Sequence, residues 1–425
     1  MSRPIRRLVI VVRADPVICG HSGEARNLAE AALGRGFTDV RLLTWPIPVL
    51  EAAGLPLKPL DGILPYSPGI TVERPEPVGD YRVPDGRYLA GLTGRLVELL
   101  LEPVATTCVS MYLAPHDAVV RDAVDAVRAA GFGRDVHTIA KAVGSDVTNV
   151  IRSCLREARF GAAVVLFTRF LANDRVLAVS QYTRQEIIAA AEVVDTHCHT
   201  RFAGECADRV TVSYPPIDTS AYLDPDAALV DAALARRGLE RDGYVLFLSR
   251  VTRAKGIYDL VEAFARSEAR SRVKLVVAGQ GPELAQLRTL TGHDDRIVYL
   301  TDVQDDEKPL LMNGCAAYAL PTRPEPDFVE TFGIALVEKM LAGGGPVITT
   351  TTGGVGEAVG DTAIIVEAGN VGQLTTAIDR AVLTTPADER WHLAERARGH
   401  ALSFDRVRIF DDVFETSGPP TALAS

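Results

Sequence analysis

The sequence predicts an α/β protein built from two open, mostly parallel sheets. Short aliphatic runs alternate with helical segments along most of the chain, which is the pattern of a doubly wound fold. The length of 425 residues suits two domains of roughly 200 residues each. The alternation begins afresh at about Tyr244, after a Pro215–Pro216 pair that favours an extended hinge.

The first half opens with the buried strand RRLVIVV, followed by a turn and by a helix over EARNLAEAAL. Further strands are expected at VRLLTW, TTCVSMYL, VHTIAK, RVLAVS and RVTVS. Helices are expected between these strands, one of them near residues 147–159. Strands and helices in this order predict a parallel sheet with helices on both faces.

Residues 46–84 interrupt this pattern. The segment carries nine prolines, so we expect neither a regular helix nor a central strand there. We expect a long irregular excursion, and loops of this length are often functional.

Composition excludes several classes of function. The net charge of −10 argues against general binding to nucleic acid or to anionic membranes, which requires a broad basic face. No apolar run approaches the length that spans a bilayer, and the first strand is too short for a signal peptide. We therefore expect a cytoplasmic protein that binds no nucleic acid and does not insert stably into membranes.

The six cysteines indicate small buried side chains in a reducing compartment. The stretch HCHTRFAGEC, residues 197–206, concentrates histidine and cysteine, but its spacing fits no standard zinc site. We expect it to be an exposed connection.

Loops after the strands of the second half carry the residues best suited to ligand binding, because ligands lie outside the carboxyl ends of parallel strands. In LSRVTRAKG, Arg250 follows a buried strand and Lys255 lies five residues further on, before a turn at Gly256. A guanidinium can bind two phosphate oxygens and an ammonium adds a point charge, so the pair suits a diphosphate. The alternative is that both are solvated surface cations.

The segment PDFVETFGIALVEKM places Glu330 just before a predicted helix and Glu338 within it. Gly333 lies where that helix should begin, so the amides of Thr331, Phe332 and Gly333 could meet sugar or phosphate oxygens. The alternative for Glu338 is an exposed helical acid.

Two glycine-bearing turns also follow strands. Gly20 and Gly23 flank a strand-to-helix corner that can present amides to phosphate. Further along, Gly353, Gly354 and Gly356 follow a strand and precede a short helix. Tight packing without ligand contact is an equal alternative for the second turn.

Taken in order, these motifs resemble the nucleotide-sugar-binding domain of the retaining GT-B glycosyltransferases of family 4. The resemblance rests on SRVTRAKGIYDLVEAFA, VVAGQGPE, ETFGIALVEKM and GPVITTTTGGVGEAV, and it covers about residues 244–382. The lead-in PDFVE looks most like the sucrose synthase type, alongside sucrose-phosphate synthases and bacterial metabolite glycosyltransferases. The first half resembles the family more loosely, in GHSGEARNLAEAALGRG, VHTIAK and VLAVSQYTRQEI.

The resemblance implies a GT-B fold, with two Rossmann-like domains facing a central cleft. Residues 1–215 would form the acceptor-binding domain, residues 216–403 the nucleotide-sugar-binding domain, and residues 404–418 a helix crossing back onto the first domain.

The resemblance also implies residue roles. Arg250 and Lys255 would hold the diphosphate, Glu338 the ribose hydroxyls, and Glu330 the transferred sugar. The implied donor-binding residues are Gly20, Gly23, Arg250, Lys255, Val303, Glu330, Thr331, Phe332, Gly333 and Glu338, and the implied catalytic residues are Glu330, His137, Arg250 and Lys255. For His137 a structural role is the alternative.

The chain departs from the family pattern at three places. His21 and Ser22 separate Gly20 from Gly23, where the family often has adjacent glycines. Thr301 or Asp302 occupies a position where glycine is frequent, and Lys339 stands where alanine is usual. None of these positions belongs to the four charged residues of the expected donor site.

The expected activity is retaining, metal-independent transfer of a sugar from a nucleoside diphosphate carrier, most readily UDP or GDP, to a small-molecule acceptor of specialised metabolism. No cofactor is expected beyond the sugar nucleotide as co-substrate, no metal site is expected, and a homodimer is compatible with the sequence. A nucleotide-sugar 2-epimerase of the same architecture and a non-catalytic nucleotide-sugar-binding protein are the alternatives.

Overall fold

A computed structural model of the chain describes residues 6–79, 84–133, 135–326 and 328–414. The described residues form two compact units. The N-terminal unit runs to Pro216 and also includes the helix that begins at Arg406, whereas the C-terminal unit runs from Ile217 to Asp405.

The N-terminal unit is built on a parallel sheet. Its strands are β1 (Arg6–Val11), β2 (Asp39–Leu43), β3 (Ile70–Glu73), β4 (Ala105–Met111), β5 (Val136–Ala142), β6 (Arg175–Ala178) and β7 (Val210–Val212). Their order across the sheet is β3-β2-β1-β4-β5-β6-β7, and each neighbouring pair is parallel. The loops that follow the strands therefore meet at one edge of the sheet.

Helices cover both faces of this sheet. They are α1 (Gly20–Leu33), α2 (Ile47–Ala52), α3 (Pro84–Leu101), α4 (His116–Ala129), α5 (Arg152–Arg156), α6 (Phe160–Leu171), α7 (Gln181–Cys198) and α8 (Phe202–Arg209). The alternation along β1 shows why both faces are covered: Leu8 and Ile10 pack into one buried cluster, whereas Val9 and Val11 pack into another.

The proline-rich segment is more regular than the sequence predicted. It contains α2, whose second residue is Pro48, and it contains β3, which forms the edge of the sheet beside β2. Proline is tolerated in the first turn of a helix, where the amide has no helical partner. The prediction of an irregular excursion over residues 46–84 is thus wrong for these two elements, and residues 80–83 lie outside the described chain.

The histidine- and cysteine-rich stretch is largely exposed, as the sequence predicted, but most of it is helical rather than an irregular connection. His197 and Cys198 end α7, His199 adopts the left-handed conformation that terminates this helix, and Cys206 is buried within α8. The helix expected near residues 147–159 is a π-helical turn, Asp146–Ile151, followed by α5.

The C-terminal unit is built on a second parallel sheet. Its strands are β8 (Tyr244–Leu248), β9 (Lys274–Ala278), β10 (Ile297–Leu300), β11 (Ala317–Leu320), β12 (Val347–Thr349) and β13 (Ile364–Ile365). Their order is β10-β9-β8-β11-β12-β13, again with parallel neighbours. The order reverses direction at β8, which is where ligands bind in doubly wound folds.

The helices of this unit are α9 (Ala227–Arg236), α10 (Ile257–Arg266), α11 (Leu284–Thr291), α12 (Lys308–Gly314), α13 (Ile334–Ala342), α14 (Val355–Val359), α15 (Val371–Asp379) and α16 (Ala387–Ala401). A π-helical segment, Arg380–Thr384, continues α15. Short 3-10 turns lie at Leu60–Gly62, Thr219–Ala221, Arg253–Lys255, Glu268–Ser271 and Leu402–Phe404.

The C-terminal helix, α17 (Arg406–Phe414), packs within the N-terminal unit. Phe410 lies edge to face against Phe37, with ring centroids 5.9 Å apart, and both belong to the cluster of Leu8 and Ile10. Arg35 of the loop after α1 forms a two-bond ion pair with Asp411, with each distance 2.6 Å. Helix α17 thus completes the core of the first unit.

None of the helices in the described ranges combines the length and the apolar character needed to cross a bilayer. The six cysteines are free thiols, and three of them, Cys108, Cys206 and Cys315, are buried. Among the described residues, no group of three or more histidine, cysteine or acidic side chains is placed to hold a metal ion.

Candidate functional site

The two predicted cations lie together at the carboxyl end of β8. The Arg250 guanidinium carbon is 5.9 Å from the centroid of the Phe328 ring, and the Lys255 ammonium nitrogen is 5.7 Å from the same centroid. Arg250 is exposed, whereas only 8% of Lys255 is exposed. Cations favour the electron-rich face of an aromatic ring. Phe328 therefore stabilises two positive charges close together at the carboxyl end of β8.

Lys255 forms a buried ion pair with Glu330. Its ammonium donates a hydrogen bond to the Glu330 carboxylate, and only 9% of Glu330 is exposed. A buried ion pair is retained at a cost in desolvation, which makes this pair a candidate for binding a polar ligand. The structure thus brings together two predicted site residues that lie 75 positions apart in the chain.

Two glycines hold the backbone of this pair in place. Gly256 has a φ of +72°, and a side chain there would overlap the carbonyl oxygen of Pro321 at the end of β11. Gly353 has a φ of +62°, and a side chain there would overlap the carbonyl oxygen of Glu330. Only glycine combines this conformation with such close approach, so the glycine-rich turn after β12 fixes the position of Glu330.

Glu338 lies in α13, the helix that the sequence predicted to begin at Gly333. Gly333 is the residue before the helix, and Glu338 is half-buried in its second turn. The hydroxyl of Tyr222 donates a hydrogen bond to the Glu338 carboxylate. Burial, and then this carboxylate, hold the pKa of Tyr222 well above its usual range, so the tyrosine stays a hydrogen-bond donor.

The short segment between Glu330 and α13 is well packed. Thr331 is half-buried, and only 2% of Phe332 is exposed. The Phe332 ring meets the Phe404 ring edge to face, with centroids 5.0 Å apart. This packing places the amides of Thr331, Phe332 and Gly333 at the amino end of a helix, whose dipole is positive there.

Val303 lies in the loop after β10, half-buried. Arg237 holds this loop on both sides of Val303: its guanidinium is 2.8 Å from the Asp302 carboxylate and 2.7 Å from the Glu307 carboxylate. A cavity of about 410 Å³ opens beside the loop, lined by Arg236, Arg237, Gln304, Asp306, Glu307 and Leu310. The loop therefore presents a fixed backbone next to an open space.

Gly20 and Gly23 lie at the start of α1 in the N-terminal unit. Gly20 is the first helical residue, so Gly23 lies inside the first turn rather than flanking the corner as the sequence predicted. Both are exposed, and a side chain at Gly23 would meet nothing within 4 Å. Close packing therefore does not explain the glycine at position 23.

His137 is not placed where the sequence predicted. It is the second residue of β5, level with Thr107 near the start of β4. Its ring nitrogen Nδ1 is 3.4 Å from the Asp174 carboxylate. The amino edge of a parallel sheet is opposite the ligand-binding edge, so this position argues against the expected contact with the reacting sugar.

Several residues at these two sheet edges gave no signal in the sequence. Phe328 lies in the PDFVE lead-in but was not singled out, and Tyr222 lies outside every motif. In the N-terminal unit, Tyr112 and His116 follow β4 and contact one another, with ring centroids 5.7 Å apart. Aromatic side chains at the carboxyl edge of a sheet are visible as site residues only once the loops are folded.

The two units with parallel sheets match solved structures of the GT-B fold. The structure of Anabaena HepE in complex with UDP and glucose superposes with a TM-score of 0.69 and 20% sequence identity, covering 96% of this chain and 98% of that one. Sucrose-phosphate synthase from Thermosynechococcus elongatus superposes with a TM-score of 0.67 and 18% identity, covering 97% and 98%. The expected α/β fold with two parallel sheets, of the GT-B type, is confirmed.

The family of the C-terminal unit follows from a sequence match. Residues 234–400 match the family described as Glycosyl transferases group 1. This part of the chain is therefore a glycosyl transferases group 1 domain, and it contains Arg250, Lys255, Glu330 and Glu338.

Curated relatives are similar over shorter stretches. The chain is 31% identical over 184 residues to N-acetyl-alpha-D-glucosaminyl L-malate synthase from Bacillus anthracis, covering 42% of this chain and 45% of that protein. It is 28% identical over 264 residues to D-inositol 3-phosphate glycosyltransferase from Salinispora arenicola, covering 56% and 57%. The chain spans about half the length of these relatives.

Proposed function

We propose that this protein is a retaining, metal-independent glycosyltransferase that moves a sugar from a nucleoside diphosphate to a small-molecule acceptor. One observation carries the proposal: Arg250 and Lys255 lie against the same ring at the carboxyl end of β8, and Lys255 is paired with Glu330. A glycosyl transferases group 1 domain contains all three residues.

The charges match the chemistry of the donor. Departure of a nucleoside diphosphate builds negative charge on the leaving group. Arg250 and Lys255 are cations at the carboxyl end of β8. Fixed positive charges of this kind stabilise such a leaving group without having to reorient during the reaction. Because these groups supply the charge stabilisation that a bound cation would otherwise give, we assign no step to a metal ion.

Each remaining polar group has a complementary role. Glu330, with the amides of Phe332 and Gly333, would hold the hydroxyls of the transferred sugar. Glu338 would accept hydrogen bonds from the ribose hydroxyls, and the fixed backbone at Val303 would meet the base. A carboxylate that accepts two hydroxyl hydrogen bonds gives both affinity and orientation.

We propose retention of anomeric configuration, which is compatible with the groups that are available. The acceptor would attack the face from which the diphosphate departs, and a phosphate oxygen would take the acceptor's proton. Glu330 is buried and paired with Lys255, which suits a carboxylate that binds the sugar better than one that attacks it. Exclusion of water would then limit hydrolysis of the donor.

The relatives favour particular substrates for the first tests. The HepE structures contain UDP and UDP-glucose, so UDP-sugars come first and GDP-sugars second. The curated relatives are named for L-malate and inositol 3-phosphate, both small molecules. We therefore place the protein in the biosynthesis of a small glycoside or specialised metabolite, in the cytoplasm.

Product analysis tests the proposal. The purified protein is incubated with UDP-glucose, UDP-N-acetylglucosamine or the GDP-sugars, a panel of small acceptors, and EDTA. We expect one donor to yield a new glycosidic bond whose anomeric configuration matches that of the donor by NMR, with EDTA having no effect.

Four other results would contradict the proposal. A product of inverted configuration would overturn retention, and loss of turnover in EDTA would overturn metal independence. Conversion of the donor to its 2-epimer, with no acceptor product, would instead identify a nucleotide-sugar 2-epimerase. Saturable donor binding without turnover across the panel would favour a non-catalytic binder.

A further inference from the structure

A cluster of one cation and four rings lies at the carboxyl edge of the N-terminal sheet. We call it the Tyr112 cluster; it comprises Arg13, His21, Trp45, Tyr112 and His116. These residues come from the loops after β1, β2 and β4 and from the first turns of α1 and α4. Because those strands are neighbours in a parallel sheet, their loops converge at the edge where ligands bind.

Tyr112 is the centre of the cluster. The Arg13 guanidinium carbon is 5.2 Å from its ring centroid, and the His21 and His116 rings are each 5.7 Å away. Tyr112 has a φ of +125°, in a region that residues with side chains rarely adopt. Strain of this kind persists where surrounding structure holds it, most often beside binding sites.

Arg13 keeps an uncompensated charge. Its guanidinium is 3.4 Å from the Nδ1 atom of His21, and within the described ranges it forms no ion pair with a carboxylate. Arg26 of α1 is instead paired with Asp15 at 2.9 Å. In a chain with a net charge of −10, a half-buried arginine without an acidic partner indicates a place for an anionic ligand.

The carboxylates near this edge are already engaged. Asp15 accepts hydrogen bonds from Arg26 and from Tyr66, the latter at 3.0 Å. Asp117 accepts from Ser110 at 3.1 Å. Asp146 accepts from backbone amides after β4 and β5. Because these carboxylates bond other groups, they do not serve as counter-ions to Arg13.

His116 has unmet hydrogen bonds. Only 2% of it is exposed, and in the structure as described neither ring nitrogen has a hydrogen-bond partner. Its ring packs edge to face on Trp45, with centroids 4.9 Å apart. Burial, and then the charges of Arg13 and His21, hold its pKa well below the usual range. The ring is therefore neutral, with one donor and one acceptor unsatisfied.

A hydroxyl group can satisfy both kinds of atom, because it donates one hydrogen bond and accepts others. Leaving a buried polar atom without a partner is costly, so a ligand that supplies the partner gains affinity. A carboxylate or phosphate can meanwhile take two hydrogen bonds from one guanidinium. The cluster thus offers complementary groups for a small molecule that carries both functions.

We propose that the Tyr112 cluster binds the acceptor substrate and selects one that carries an anionic group, a carboxylate or phosphate, close to a hydroxyl. Arg13 holds the anion, and the ring of His116 meets the hydroxyl. This inference rests on the proposed function for its link to sugar transfer. The binding of an anion at Arg13 stands on the geometry alone.

The same anion chemistry could come from the donor diphosphate, so the experiment has to separate the two sources. The probes are UDP, inorganic phosphate, glycerol 3-phosphate and glycerol. Thermal stabilisation of the full chain is measured for each probe, with and without saturating UDP. The variant is Arg13→Gln, and the matched control is Arg6→Gln, since Arg6 also stacks on a ring, Phe37 at 4.5 Å, but begins β1 at the opposite edge.

We expect phosphate and glycerol 3-phosphate, but not glycerol, to stabilise the wild-type chain even when UDP is saturating. Arg13→Gln should weaken the apparent affinity for both anions about tenfold or more, because a charge-assisted hydrogen bond is lost. Arg13→Gln should leave the rise in melting temperature with UDP unchanged. Arg6→Gln should respond to every probe as the wild type does.

His116→Phe tests the hydroxyl part, and it keeps an aromatic ring against Trp45. We expect it to remove the preference for glycerol 3-phosphate over phosphate while the phosphate response remains. Its melting temperature without ligand should not fall, since two buried unsatisfied atoms are removed. An unchanged preference would overturn the role of His116.

Two results would overturn the assignment of the anion site. If Arg13→Gln loses the UDP response together with the phosphate response, the anion belongs to the donor. If both arginine variants respond as the wild type does, Arg13 binds no anion. A wild-type chain that fails to respond to any nucleotide would contradict the proposed function instead, and the phosphate series without UDP would still report on Arg13.

Discussion

The carboxyl edges of the two sheets hold their polar groups in different ways. In the C-terminal unit several charges are paired internally: Lys255 with Glu330, and Arg237 with Asp302 and Glu307. The exposed Arg250 lies against Phe328 and forms no ion pair within the described residues. In the N-terminal unit the Tyr112 cluster leaves Arg13 without a carboxylate partner and His116 without hydrogen bonds, within the described residues.

This difference indicates how each sheet edge can bind a ligand. The C-terminal edge is organised around its own ion pair, so a ligand there exchanges one set of partners for another. The Tyr112 cluster gives a ligand partners that the protein itself does not provide. Changes at the C-terminal edge should therefore affect stability and function together, whereas changes in the Tyr112 cluster should affect ligand selection alone.

The largest expected effect is at Lys255. Lys255→Met should lower kcat about 10²–10³-fold, because it removes a cation from the leaving group. It should also destabilise the fold by about 3–5 kcal/mol, because Glu330 is left buried and unpaired. The double variant Lys255→Met with Glu330→Gln should regain part of the free energy of unfolding but no activity.

Arg253→Gln is the matched control for this prediction. Arg253 lies two residues before Lys255 in the same 3-10 turn, and its side chain is 57% exposed and 3.5 Å from Glu283. We expect unchanged kcat and less than about 1 kcal/mol of destabilisation. Equal losses in the two variants, by steady-state kinetics and urea unfolding, would show that the ion pair is not what organises this edge.

The next effect tests a scaffold residue of the N-terminal edge. Asp146 accepts hydrogen bonds from the backbone amides of Leu113, Val143, Gly144 and Val147, at 2.9–3.3 Å. Asp146→Asn replaces one acceptor oxygen by a donor facing these amides. We expect a loss of about 2–4 kcal/mol in the free energy of unfolding.

This loss should depend on pH. Burial raises the pKa of Asp146 to about 6, although the backbone hydrogen bonds oppose the rise, and the value for the unfolded chain is 3.8. The folded state therefore binds the proton more tightly, and the resulting stabilisation is present below pH 3.8 and is lost as the pH rises through 6. The wild type should exceed Asp146→Asn in stability by more at pH 5 than at pH 7.5, and a difference that shrinks on acidification would contradict this.

A smaller effect is expected at Gly353. Gly353→Ala places a methyl group against the carbonyl oxygen of Glu330 in a left-handed conformation, so Glu330 must move. We expect a destabilisation of about 1–3 kcal/mol and weaker binding of the donor sugar. Gly356→Ala in the same turn is the control, because the nearest atom would be 3.9 Å away. Similar losses in both variants would remove the link between this turn and Glu330.

The smallest predicted effect is at Tyr222. Tyr222→Phe removes the hydrogen bond to Glu338 and keeps the ring. We expect nucleotide affinity to fall about 2–10-fold, as for a single hydrogen bond. Tyr258→Phe, which removes a 2.6 Å bond to Glu283, is the control and should leave affinity unchanged. Calorimetric titration with the nucleotide compares the Tyr222→Phe and Tyr258→Phe variants. Equal affinities would mean that the Tyr222 hydrogen bond does not contribute to nucleotide binding by Glu338.

The site residues of the C-terminal sheet edge could be predicted from the sequence, whereas those of the Tyr112 cluster could not, for a physical reason. Arg250 and Lys255 share one loop, and Glu330 and Glu338 share one loop and helix, so short spacings reveal them. The Tyr112 cluster draws its five residues from the segments after three strands, and only the sheet brings those segments together. His137 was assigned a role because the resemblance implied it, but its place at the start of β5 could not be read from the strand pattern alone.

Strand and helix order was predictable because buried strands of parallel sheets read as continuous aliphatic runs. Residues 46–79 were harder to predict, since proline is compatible with an edge strand and with a first helical turn as well as with irregular structure. Tyr222 is held by Glu338, which lies more than 100 residues further along the chain, so only the folded unit reveals the pair.

The most direct test of the donor site is thermal stabilisation by UDP, GDP and ADP, with and without EDTA, for the wild type, Arg250→Ala and Arg253→Ala. A ligand that binds only the folded state raises the melting temperature. We predict a clear rise with one nucleotide, unaffected by EDTA, kept in Arg253→Ala and lost in Arg250→Ala. The absence of a rise with any nucleotide, or an equal rise in both variants, would contradict the assignment of Arg250, Lys255 and Glu338 to a donor site.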